Sequence, residues 1–154
     1  MKSLVPVLIV TLSIVCYSVA ADESFTRIKV PDSKGKPTDA TLTFSDQSRS
    51  VQIRPVKGND LVIPYSRIAK FSYEYTKRHR VNERSLASAP LGIGAFVMLT
   101  KGKSHWLEIN YDNDQDIRKT YVLRMDKHDY LHILEAIRAH TGKDAEILGN
   151  ANKR

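Results

Sequence analysis

From Thr38 the chain alternates. Leu42 and Phe44 are interleaved with Thr41 and Thr43; after the polar turn Asp46-Gln-Ser-Arg49, Val51 and Ile53 are interleaved with Gln52 and Arg54. An apolar period of two on either side of a turn predicts a hairpin with one face buried. Lys57-Gly-Asn-Asp60 makes the next turn and Leu61-Val-Ile63 starts another strand, which Pro64-Tyr-Ser66 bends because proline cannot continue a central ladder. Ile68 leads into Phe71, Tyr73 and Tyr75, three aromatics on one side of a further strand. Past residues 76–103, Leu107, Ile109 and Tyr111 share one face, with Trp106, Glu108 and Asn110 on the other, read as wet. The loop Asp112-Asn-Asp-Gln-Asp116 turns into a last strand carrying Tyr121, Leu123 and Met125.

The period then changes to 3.6. Tyr130, Ile133, Leu134 and Ile137 fall on one helical face, with Asp126 placed as N-cap, Asp129 in the first turn and Gly142 as the stop. Ahead of the alternating region, Phe25-Thr-Arg-Ile28-Lys-Val30 reads as a short edge strand in an N-terminal arm over residues 21–37, ending in the turn chemistry of Asp32-Ser-Lys-Gly-Lys-Pro37. Residues 143–154 read as a flexible polar tail. The order is six or seven antiparallel strands and one amphipathic helix. That is a mainly β (α+β) chain: a bent antiparallel sheet or partly open barrel whose mouth the helix covers.

This order resembles the pleckstrin-homology-like superfold, including its GRAM-like variants. The resemblance is carried by Leu61-Val-Ile-Pro-Tyr-Ser-Arg-Ile68-Ala-Lys-Phe71, Trp106-Leu-Glu-Ile-Asn-Tyr111 and Asp129-Tyr130-Leu-His-Ile133-Leu-Glu-Ala-Ile137, and it spans residues 38–142. The chain looks most like exported bacterial proteins of this type with no assigned role. The resemblance implies a binding module and not an enzyme. Where such domains take phosphoinositides, a Lys/Arg cluster sits on the first hairpin; the hairpin Thr41 to Arg54 carries only Arg49 and Arg54, beside Asp46, and lacks that cluster.

The N-terminus changes the picture of where the chain works. Met1-Lys2, the apolar run Leu4 to Val19 and the small residues Ser18-Val19-Ala20 form the pattern of a signal peptide over residues 1–20, giving a secreted or periplasmic protein. A retained anchor is the alternative, 18 residues from Leu4 to Ala21 interrupted by Pro6. Cleavage removes one lysine and no acid, taking the net charge from +7 to +6, and it removes Cys16, the single cysteine of 154 residues. Disulfides and thiolate chemistry go with it.

The working surface is expected in residues 76–103. Lys77, Arg78, Arg80 and Arg84 form a basic run; Ser85 to Thr100 is a sixteen-residue stretch without a charge, holding Phe96 and Met98; Lys101 and Lys103 close it. Interrupted by Pro90, Gly92 and Gly94, the stretch is too short and broken to span a bilayer. It packs on the chain's own core, docks on a protein partner, or dips into an anionic membrane surface whose headgroups meet the flanking cations. Export and the absence of a recognition motif argue against nucleic acid.

Other chemistry finds little support. Asp112-x-Asp114-x-Asp116 starts like a calcium loop, but Ile117 stands where glycine is needed and Leu123 where the bidentate glutamate belongs. His128 and His132 share a helical stripe with Glu135, opposite the apolar face, without a pocket. Gly92-x-Gly94 lacks a third glycine, and no serine, threonine or carboxylate pair has catalytic spacing. No metal, cofactor or catalytic set is expected; a hydrolase with scattered residues is the reading from another class, and a small-molecule ligand stays unspecified.

Overall fold

The computed structural model describes residues 21–76 and 102–149. Among the described residues, eight strands form one open sheet: β1 (Glu23–Pro31), β2 (Pro37–Ser45), β3 (Ser50–Pro55), β4 (Leu61–Pro64), β5 (Ile68–Thr76), β6 (Ser104–Asp112), β7 (Arg118–Met125) and β8 (Ala145–Leu148). A single turn of 3-10 helix, Tyr65–Arg67, follows Pro64, and helix α1 spans Tyr130–Thr141. The order across the sheet is β4-β3-β2-β1-β7-β6-β5-β8. This is the mainly β, helix-capped architecture that the periodicity predicts, in the arrangement that the pleckstrin-homology-like resemblance implies.

The core lies on one face. Leu42, Phe44, Val51, Ile53, Phe71, Leu107, Ile109 and Leu123 are fully buried, and Ile133 and Ile137 of α1 pack down on them. Tyr130 and Leu134 complete the predicted helical face as half-buried neighbours. Gly142 ends the helix at φ 69°, its N–H donating to the Arg138 carbonyl, a conformation glycine adopts without a Cβ clash. Helix α1 is locked at that end by His140, whose buried ring stacks on Phe44 and sits 3.0 Å from an Asp46 oxygen and 3.3 Å from a Glu23 oxygen.

The details differ from the sequence reading in five places. The segment expected as an edge strand is the middle of the sheet: β1 pairs with β2 through Glu23↔Phe44 to Pro31↔Pro37 and with β7 through Ile28↔Met125 and Lys29↔Arg124. Local alternation marks a strand but says nothing of its neighbours. The first hairpin is therefore Glu23–Ser45, not Thr41–Arg54. Part of the expected tail is a strand, since β8 adds to β5 in parallel, Phe71↔Ala145 to Glu74↔Leu148. Asp126 does not cap α1; its Oδ1 accepts the His128 N–H and fixes the turn before the helix, which begins only at Tyr130. Finally, the face of Trp106, Glu108 and Asn110 is buried, not wet: Trp106 is inaccessible and donates Nε1–H to the Thr76 carbonyl. A chain of side-chain hydrogen bonds runs from Thr120 Oγ1 to Asn110 Oδ1 and from Asn110 Nδ2 to Glu108, so these polar groups are buried in partnership.

Candidate functional site

Charge collects where β1 meets β7. On β1, Arg27-Ile28-Lys29-Val30 puts the aliphatic residues into the core and the cations on the opposite face. Lys29 is the register partner of Arg124 on β7 and of Asp39 on β2. Two cations directly opposite on neighbouring strands repel each other, and a fold keeps such a pair only when something else offsets it. Asp39 offsets Lys29, its Oδ1 2.6 Å from Nζ. Arg124 is half-buried, and among the described residues it makes no hydrogen bond or ion pair to a carboxylate; burial lowers its pKa against the more distant pull of Asp39 and Asp126.

These side chains line a cavity of about 380 Å³. Arg27, Lys29 and Asp39 form one wall; Arg124, Met125, Asp126 and Lys127 form a second; Lys103, Ser104 and His105 at the start of β6 form the third. Five cationic side chains thus face two carboxylates. Arg27 sits in the register irregularity between Phe25 and Ile28, a bulge that re-aims it, and forks onto Asp129 at the start of α1. The Asp129 hydrogen bonds raise the Arg27 pKa further. The His128 N–H holds the Asp126 carboxyl below its usual range, so it stays ionised. Two cations are therefore neutralised by their own partners, whereas Arg124, Lys103 and Lys127 form no ion pair among the described residues. The cavity has an excess of positive charge.

His105 contributes a different group. Its ring stacks on Tyr130 at 3.8 Å between centroids and on Tyr75 at 4.5 Å, and its Nδ1 lies 2.7 Å from the Tyr73 hydroxyl. Desolvation lowers the His105 pKa, and burial with the neighbouring tyrosines pushes Tyr73 up to about 12. At neutral pH the imidazole is uncharged and the phenol keeps its proton. No hydrogen bond links His105 to Ser104 among the described residues.

Of the residues singled out in the sequence, Lys103 is in this site: it is exposed, lines the cavity and holds its Nζ 5.7 Å above the Tyr75 ring. Tyr75, on the same side of its strand as the buried Phe71, is 53% exposed. Lys77, Arg78, Arg80, Arg84, Phe96, Met98 and Lys101 lie outside the described residues. Thr76 and Ser104 are register partners, so the chain leaves and rejoins the sheet on either side of that stretch at the rim of the cavity. His128, His132 and Glu135 are exposed, and the acidic hairpin tip is a turn in which Asn113 Oδ1 accepts the Gln115 and Ile117 N–H groups. Sequence reasoning missed Arg27, Lys29, His105, Arg124 and Lys127. The available signal was a cation at alternate positions of two strands, which becomes a site only once β1 and β7 are neighbours.

No protein-family model matches the chain, and no curated protein does. A solved structure of the Spt16D Pob3N heterodimer is similar over 88% of this chain, at 14% identity and a TM-score of 0.46. The chain spans 60% of the length of that one.

Proposed function

We propose that the protein is an exported, non-enzymatic binding module whose working surface is the cation-lined cavity at the β1–β7 seam, and that its ligand or partner presents an anionic group there. The observation that carries this reading is Arg124: a half-buried guanidinium with no hydrogen-bonded counter-ion among the described residues, held opposite Lys29, lining an open cavity. A guanidinium offers a planar fork suited to carboxylate or phosphate oxygens. Export is supported by the basic start, apolar run and small-residue site of residues 1–20, and intact mass of the protein from its host, starting at Ala21, is the check.

Titration calorimetry of the mature chain with inorganic phosphate and sulfate tests the anion reading. Saturable binding is expected, weakening as ionic strength rises and the charges are screened, and Arg124→Met should lose at least tenfold. Failure of the wild-type protein to bind either anion at low salt removes the reading.

A second reading takes the anionic partner to be a membrane surface. Its support is the position of Thr76 and Ser104 at the cavity rim, which ties the basic and apolar stretch of the sequence to this end of the sheet. Flotation with anionic vesicles at low salt decides it: a protein left entirely in the bottom fraction is not a membrane-docking protein.

A further inference from the structure

Two rings in near-parallel planes at 3.8 and 4.5 Å from one imidazole must lie on its opposite faces, because side by side on one face they would overlap. Tyr130 and Tyr75 therefore cover both faces of His105. Tyr73, whose plane is within 13° of the imidazole, occupies the Nδ1 edge with its hydroxyl. The edge left to line the cavity carries Nε2, which has no partner among the described residues.

The Tyr73 hydroxyl has one proton to donate, and among the described residues His105 Nδ1 is its one hydrogen-bond partner. Donation from Oη to Nδ1 satisfies both groups and places the imidazole proton on Nε2. Were Nδ1 protonated instead, the phenolic proton would have no acceptor among the described residues. From this geometry we infer that His105 presents a fixed, uncharged Nε2–H to the cavity, a directional donor that selects an oxyanion by one of its oxygens while Arg124 holds the charge. The inference rests on the reading of the cavity as an anion site. It adds what cations alone lack: a cluster of lysines and arginines attracts any anion, whereas a clamped imidazole asks for an acceptor oxygen at one place. Soluble phosphate and a lipid phosphate headgroup share that chemistry.

Two measurements test it together. The two-bond proton–nitrogen spectrum of the uniformly 15N-labelled mature protein, without ligand, should show His105 as the Nε2–H tautomer, and Tyr73→Phe should turn it into a tautomer mixture. Inorganic phosphate binding should fall about tenfold or more in His105→Phe, which keeps a ring between the two tyrosines but has no donor, and should partly return in His105→Gln. A wild-type protein showing the Nδ1–H tautomer, or His105→Phe binding phosphate with wild-type affinity, overturns the donor while leaving the anion site standing. A wild-type protein with the Nε2–H tautomer that binds neither phosphate nor phosphatidylglycerol vesicles overturns the anion site and the donor's role with it. Binding to the vesicles alone, lost in His105→Phe, supports the donor and names the headgroup as source.

Discussion

Lys29 and Arg124 are far apart in the chain and face each other across two strands. Their repulsion separates the requirements of folding from those of binding. Arg124→Met removes the like-charge pair and keeps the apolar stem, so the variant should be as stable as the wild type or up to about 1 kcal/mol more stable in urea titration, while losing its anion. A loss of stability would mean that Arg124 serves the fold. His105 gives a second test at this scale. Its pKa is lowered on folding, so between its folded value and the unfolded 6.5 the unfolded chain binds more protons. The stability this contributes is complete above about 6.5 and is lost as pH falls through that window. His105→Phe should therefore lose less stability than wild type between pH 7 and acid, measured by denaturant midpoints at each pH. The cavity's chemistry was hidden for a simple reason: each of Arg27, Lys29 and Arg124 sits at a polar position of an alternating strand, where a cation ordinarily faces solvent. Lys103 was legible because it closes an unusual stretch.

Among the elements, α1 is the one the sequence describes most fully, because an apolar stripe and a glycine stop are both local signals, although its start lies at Tyr130 and not behind an Asp126 cap. Gly142 tests its C-terminus. Among the described residues, no heavy atom beyond its chain neighbours and the helix's own backbone lies within 4 Å of where a Cβ would stand, so Gly142→Ala meets only the backbone cost of a left-handed residue, about 1 kcal/mol. Thermal unfolding should register it as a small drop in midpoint with unchanged cooperativity. Strand partners, by contrast, are not local. Periodicity identified β1 and left it at an edge, while its pairing with β7 makes it central. The stretch Ala145-Glu-Ile-Leu148 has neither alternation nor length to announce itself, and it becomes β8 only because β5 offers it a free edge. The buried face of β6 was misread for a related reason: Glu108 and Asn110 look solvated until Thr120 and each other supply their hydrogen bonds.

At the scale of the whole molecule, the sheet is two ribbons, β4-β3-β2-β1 and β7-β6-β5-β8, joined edge to edge. Every neighbouring pair inside a ribbon shares at least four register positions, whereas β1 and β7 share two. The join closes a loop of most of the chain, so it forms late and is the natural first place to open. Anything held at once by Arg27 or Lys29 on one lip and by Arg124 on the other would act as a clasp across this hinge line. Amide exchange of Ile28, Lys29, Arg124 and Met125 should then slow when phosphate or sulfate is added, with little change in the outer strands, so that even a weakly held anion leaves its mark in how seldom the two halves part.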